Sequence, residues 1–193
     1  PTTFEGKNLL VESIKYLKSC KLISDIYVST DNENTAKIAR DNSALAPFIR
    51  PHSLSAESVS LPEVLKYTIE KIESFRNVDL VVIVEENYPF RPTGLLTKLI
   101  NNIIEGGYDT VCASVIEQRS IWLDTKDQIN AIGDKKMMSR SIKPEKIHIN
   151  LFGLGAVTYV DNIRNNTILT NKVGLSPVRK YPYSFQIDNQ DKS

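Results

Sequence analysis

Apolar and polar residues alternate in blocks along the chain, and the sharpest block is Leu80 to Val84. This unbroken, mostly β-branched run is the pattern of a strand covered on both faces of a parallel sheet. Polarity reverses immediately after it, in Glu85, Glu86 and Asn87, followed by Tyr88-Pro89-Phe90-Arg91-Pro92. Ligands of open α/β sheets lie beyond the carboxyl ends of the strands, so this loop is the first place to seek a polar binding site. Upstream, Leu10, Ile14 and Leu17 fall at helical spacing, and Ile26-Tyr27-Val28 reads as a short strand ending in Ser29-Thr30-Asp31. Asp31 is placed to cap a helix that begins near Glu33 and runs through Ala36, Ile38 and Ala39.

Residues 42–60 are irregular. Ser60 then precedes Glu63 by three positions with Pro62 between them, a capping box that opens a helix to about Phe75. Thr93 is expected to cap the next helix, whose Leu95, Leu96, Leu99, Ile100, Ile103 and Ile104 form one stripe that Gly106-Gly107 stops. Thr110 to Ile116 is another strand. The pattern loosens from Glu117 to Lys146, where Ser120-Ile121-Trp122-Leu123 and the Met137-Met138 pair suggest an excursion out of the sheet. Apolar residues return at 147–159, a short helix is predicted at 160–164, and 173–178 and 183–187 read as late strands. Helix and strand alternate as in an α/β fold. Ile26–Ser29, Leu80–Val84 and Val111–Val115 are expected in a central, mainly parallel sheet of a single domain spanning residues 1–193.

Composition narrows the function classes. The 193 residues carry 24 Lys+Arg against 23 Asp+Glu, so a net charge of +1 offers no electrostatic case for nucleic acid or an acidic membrane surface. No apolar run reaches the roughly 18 residues a spanning helix needs. Cys20 and Cys112 have no paired or metal-ligating spacing, which fits a reducing cytoplasm. The eight glycines form neither GxxxxGK nor GxGxxG, so no phosphate-cradling loop is visible.

Five motifs in order carry a resemblance across nearly the whole chain. Gly6 to Asp31, Arg50-Pro51 with Leu54 and Glu57-Ser58-Val59-Ser60, Val84 to Arg91, Gly153 to Tyr159, and Ile187-Asp188-Asn189-Gln190-Asp191 resemble the CMP-N-acetylneuraminic acid synthetase (acylneuraminate, or nonulosonate, cytidylyltransferase) family. The resemblance implies a three-layer α/β/α, Rossmann-like nucleotide-diphospho-sugar transferase fold. It implies CMP transfer from CTP to a sialic-acid-like or KDO-like α-keto acid sugar, with release of pyrophosphate. It also implies a cytoplasmic homodimer that dimerises through residues 117–146. The family's first strand and triphosphate loop would lie ahead of residue 1, so this chain alone is expected to be inactive or very weak.

Residue by residue, the resemblance implies Mg²⁺ at Asp188, with Gln186 offering a neutral oxygen where many members have a second Asp. Arg50 and Ser60 are the expected nucleotide contacts, and Glu85 and Phe152 the expected sugar contacts. Glu85 stands where the family has Gln and Asn87 where it has Thr. A carboxylate there would repel the carboxylate of an acid sugar at close range, which points to an acceptor other than ordinary sialic acid. Arg91 is expected to pair with Glu86, Tyr88 and Phe90 to pack, and His52 and His148 to be structural or exposed. The alternatives are a non-catalytic binding or assembly module on the same fold, or another sugar nucleotidyltransferase.

Overall fold

The computed structural model describes residues 2–56, 58–132 and 146–187. A two-strand ribbon, β1 (Thr3–Phe4) and β2 (Lys7–Asn8), turns through Glu5 and Gly6, both at positive φ. Asn8 then caps α1 (Leu9–Lys18) by accepting from the Val11 amide. α2 (Glu33–Asp41) is capped by Asn32, whose side chain accepts from the Thr35 amide at 3.1 Å, not by Asp31. Asp31 instead turns to His52, 3.0 Å away. α3 (Leu61–Glu73) opens as expected, with the Ser60 amide and hydroxyl both donating to Glu63 Oε2.

β3 (Leu80–Ile83) leads into α4 (Leu95–Gly106), β4 (Thr110–Glu117), the hairpin of β5 (Ile121–Asp124) and β6 (Ile129–Ile132), and β7 (Ile147–Asn150). β8 (Ala156–Tyr159), α5 (Val160–Arg164) and β9 (Val173–Pro177) follow. The N-cap position of α4 falls on Gly94, in a left-handed conformation that favours glycine, so the expected Thr93 cap does not form.

The sheet is ordered β3-β8-β4-β7, with β9 parallel to β4 along its other edge. β8 is antiparallel to both β3 and β4, so β3, β4 and β9 share one direction and the sheet as a whole is mixed. The expected parallel character holds for those three strands; a reversed strand looks the same in an apolar run. β7 and β8 both lie along one edge of β4, with residues 151–155 inserted between them opposite Ala113. β3 ends the ladder instead of lying inside it. Ile26–Ser29 forms no ladder strand, only a parallel bridge between Tyr27 and Leu45. The 183–187 segment is a turn and an extended tail, not a strand.

Helices cover both sheet faces. The α4 stripe packs on Val111, Ala113, Val115, Leu154 and Val157. On the opposite face Ile69 of α3 packs with Val160 and Ile163 of α5. The alternation of β4 explains the split, since Val111, Ala113 and Val115 face α4 while Cys112 faces the other way with Ile83 and Ala156.

The excursion is anchored by Glu117, which accepts from Arg119 and from Lys180 Nζ at 2.6 Å. Those hydrogen bonds hold its carboxyl far below the usual carboxylate range. Beyond it the β5–β6 hairpin leaves Trp122 62% and Ile129 62% exposed. Met137 and Met138 lie outside the described residues. Leu99 is fully buried at the centre of the α4 stripe. Leu99→Ala should lower unfolding free energy by about 2–5 kcal/mol in urea titration, because a packed interior closes only partly over a deleted side chain.

Candidate functional site

The site is built where β3 ends. The insertion between β7 and β8 carries a short 3₁₀ turn, Phe152–Leu154, that bulges toward this strand end. The Leu151 amide donates to Ala113 O and the Ala113 amide to Gly155 O, each at 2.8 Å, so β4 clamps both ends of the bulge. At its crest Gly153 O accepts from the Glu85 amide at 2.8 Å. The Glu85 carboxylate lies directly over the Gly153 Cα. A Cβ at 153 would collide with that carboxylate and come within 2.8 Å of the Tyr88 ring.

Glu85 is half-buried, and burial pushes its carboxyl above the ordinary value, with the Arg91 charge working in the opposite direction. Arg91 reaches back under the loop and donates through Nη2 to Ser13 Oγ at 2.9 Å and to the Glu85 carbonyl. Its guanidinium lies 5.4 Å from the centre of the Tyr16 ring, and Tyr16 in turn donates to Pro92 O at 3.1 Å. Burial lowers Arg91 to about 10, offset by Tyr16, Tyr88 and Glu85. The expected pairing of Arg91 with Glu86 does not form; Glu86 accepts from Thr2 Oγ1 at 3.4 Å. Arg91 Nη1 and Asn87 Oδ1 are buried here with no hydrogen-bond partner among the described residues.

The end of the chain is drawn to the same loop. Ile187 N donates to Asn87 O at 2.9 Å. The rings of Phe4, Phe90 and Phe185 form a cluster with centroids 5.7 to 6.1 Å apart. Gln186, exposed, is therefore held beside the strand-end loop. Asp188 lies outside the described residues. Among the described residues there is no group of three or more His, Cys, Asp or Glu that could hold a metal ion.

A second polar group gathers at the end of the 26–29 segment. Arg50 N donates to Thr30 O at 2.8 Å, and its Nη2 donates to Ser55 Oγ at 3.1 Å. Arg50 Nε is buried without a partner among the described residues. The His52 hydrogen bond holds Asp31 below the usual carboxylate range. Ser60, the other expected nucleotide contact, is committed to its capping box with Glu63. Phe152 packs half-buried against the Ile83, Cys112 and Ala156 cluster, and it is the backbone of Gly153 that meets Glu85. His148 bonds Ser114 Oγ at 3.1 Å. Sequence reasoning missed Gly153, Ser13 and Tyr16 as parts of the site. The glycine pair 153 and 155 was the available signal for the bulge.

Two polar clusters at strand ends of a three-layer α/β domain fit a nucleotide-dependent transferase, and a family model described as cytidylyltransferase matches residues 2–191. The chain belongs to the cytidylyltransferase family. It is 26% identical over 143 residues to pseudaminic acid cytidylyltransferases of Campylobacter jejuni subsp. jejuni serotypes O:2 and O:23/36. That match covers 72% of this chain and 62% of each relative, so the chain spans less than two thirds of their length. Among solved structures it is similar in fold to 4-diphosphocytidyl-2C-methyl-D-erythritol synthase from Anaerococcus prevotii, with TM-score 0.65 and 14% identity over 98% of this chain and 87% of that one. It is also similar to a CMP:2-keto-3-deoxy-manno-octonic acid synthetase complexed with CTP. There the TM-score is 0.62, with 10% identity over 92% of this chain and 81% of the other. The family and the nucleotidyltransferase fold agree with the resemblance drawn from the motifs.

Two outcomes test the packing of Glu85. Gly153→Ala should cost about 1–3 kcal/mol in urea titration, and less in a Glu85→Ala background, where the obstructing carboxylate is gone. The raised Glu85 carboxyl gives a pH signature. A folded-state value above the unfolded one means that the folded form binds the proton more tightly, so its contribution is full below the unfolded value and lost as pH rises through the folded one. Glu85→Gln should therefore be more stable than the parent at neutral pH, with the gap closing as pH falls below the ordinary carboxyl value of 4.5.

Proposed function

We propose that the protein transfers CMP from CTP to an acid sugar of the nonulosonate class, releasing pyrophosphate. The observation that carries this reading is the cytidylyltransferase match over residues 2–191, joined to the identity with pseudaminic acid cytidylyltransferases. The anomeric hydroxyl of the sugar attacks the α-phosphorus of CTP. The new O–P bond forms as the bond to the bridging oxygen breaks, and pyrophosphate leaves. Such a transfer needs positioning and charge stabilisation more than covalent help.

Glu85, half-buried and fixed over Gly153, accepts hydrogen bonds from hydroxyl or amide groups of the acceptor. Arg91 positions that carboxylate by holding the Glu85 carbonyl, and its charge moderates repulsion of an acid substrate. Arg50 is proposed for the nucleotide, its buried Nε being free to donate. Asp188, with Gln186 held at the same loop, is proposed to bind Mg²⁺. Both are hard oxygen donors, and Mg²⁺ normally takes one or two carboxylates plus substrate phosphates. When bound, the ion would neutralise phosphoryl charge.

Pyrophosphate release from CTP and a nonulosonate, measured in the protein extended to its relatives' length, tests the reaction. No release with any nonulosonate would favour a non-catalytic module. In the active protein Asp188→Asn should lower turnover on the order of a hundredfold or more, a loss of about 2.7 kcal/mol in transition-state stabilisation, with folding intact. Near-normal transfer would remove Asp188 from the metal site.

The exposed Trp122 and Ile129 of the β5–β6 hairpin support a homodimer, since an apolar arm with little to bury against marks a partner surface. Light scattering at micromolar protein should give twice the chain mass, and Trp122→Ser with Ile129→Ser should give the monomer. Among the described residues no helix is long and apolar enough to cross a membrane, and a cytoplasmic location is proposed with the activity.

A further inference from the structure

The strand-end loop, residues 85–91, is held from two directions. Arg91 ties it to Ser13 and Tyr16 of α1. From the other direction it is met by the segment that follows β9. Ile187 N donates to Asn87 O at 2.9 Å, and the Phe185 ring stands 6.1 Å from Phe90 and 5.9 Å from Phe4. This second support is thin. Phe185 is 44% exposed, and a half-exposed ring with one backbone hydrogen bond restrains an extended chain only weakly. The firmer anchor of the segment lies nearer to β9.

That anchor is Lys180, whose Nζ donates to Glu117 Oε2 at 2.6 Å. Glu117 ends β4, and its side chain is only 5% exposed. Its Oε1 accepts from the Gln118 and Arg119 amides and from Arg119 Nε, and its Oε2 from Arg119 Nη2 and Lys180. A carboxylate taken out of water holds its donors firmly, because each charge-assisted bond replaces lost hydration. Lys180 also closes the turn behind it, its carbonyl accepting from Ser184 N at 2.7 Å, while Pro182 O accepts from Phe185 N at 3.0 Å. Tyr183, between them, packs against the α4 cluster. Residues 180–187 thus form a strap that is fixed at Glu117, folded into one turn, and ends on the strand-end loop.

Glu117 does not need Lys180 in order to be buried, since Arg119 and two neighbouring amides already satisfy both of its oxygens. Lysine, for its part, sits in water at little cost. The bond between them therefore acts mainly on the segment that carries the lysine. We propose that Lys180 is a positioning residue for acceptor binding: its bond to Glu117 sets how far the strap carries Phe185 and Ile187 toward Phe90 and Asn87, and so how the loop presents Glu85. Asn87 lies two positions from Glu85, whose own amide is held by Gly153 O at 2.8 Å, so a displaced strap is felt at that bond. The inference rests on the reading of Glu85 as an acceptor contact. It places the control of that contact at the end of β4, where Glu117 and Arg119 lead into the β5–β6 hairpin.

Lys180→Met removes the charge and keeps the apolar stem, and Arg119 still pairs Glu117, so the sheet stays folded with little change in Tm. Amide exchange followed by NMR in the 193-residue chain needs neither CTP nor sugar. Exchange at Ile187 and Glu85 should quicken about fivefold or more, while the Leu151 amide, clamped to Ala113, keeps its protection. Lys180→Arg, whose guanidinium can donate to the same carboxylate, should restore both amides. In the active protein, extended to its relatives' length, Lys180→Met should raise KM for the nonulosonate about tenfold and leave KM for CTP unchanged. Quickening confined to residues 181–185, or spread to Leu151 with a fallen Tm, would make Lys180 a purely structural residue and overturn the inference. An unchanged acceptor KM would overturn it equally. Absence of transfer by the parent protein would strike the proposed reaction instead, and the exchange result would still decide whether Lys180 holds the loop.

Discussion

The near-complete burial of β4 is the constraint on which the candidate site depends. β4 is paired on both edges, with β9 along one and β7 and β8 along the other, and its inner residues are closed over by α4. A strand so enclosed must have its backbone groups satisfied, and the bulge at 151–155 is tolerated because Leu151 and Gly155 still bond Ala113 on either side. That clamp aims Gly153 at the end of β3. Gly155 has its own constraint, since a Cβ there would come within 3.1 Å of Leu99 on α4. Core packing and site geometry are thus set by the same few residues.

Around this bulge the loop after β3 is held mainly by one buried cation. Among the described residues Arg91 has no carboxylate directly bonded to it. It is supported by the Ser13 hydroxyl, the Glu85 carbonyl and the face of Tyr16, all of them neutral groups. Its positive charge is therefore only partly spent, and it moderates the desolvation of Glu85 nearby. A cation and a carboxylate side by side, each imperfectly compensated, form the kind of perturbed pair that gathers at functional sites.

The aromatic cluster of Phe4, Phe90 and Phe185 brings three distant parts of the chain to the same edge. Its rings join the start of the chain, the strand-end loop and the segment leading to Gln186. In this way two motifs far apart in sequence, Val84–Arg91 and the residues before Asp188, become neighbours.

Much of the architecture was legible from local pattern alone. The α4 stripe, the Ser60–Glu63 capping box, the β3 and β4 runs and the strand-end loop were all readable, because burial and capping impose periodicities that short windows reveal. The order of motifs also sufficed to indicate the family. Tertiary structure decided what depends on pairing partners. Strand direction leaves no mark in an apolar run, so the reversal of β8 and the terminal position of β3 were invisible. Asp31 and Asn32 are equally good caps by type, and only the approach of His52 to Asp31 left the capping to Asn32. The contact of Gly153 with Glu85 and the support of Arg91 by Ser13 and Tyr16 join residues 68 to 78 positions apart. No local physical preference encodes such contacts. They exist because the folded sheet places the ends of its strands side by side.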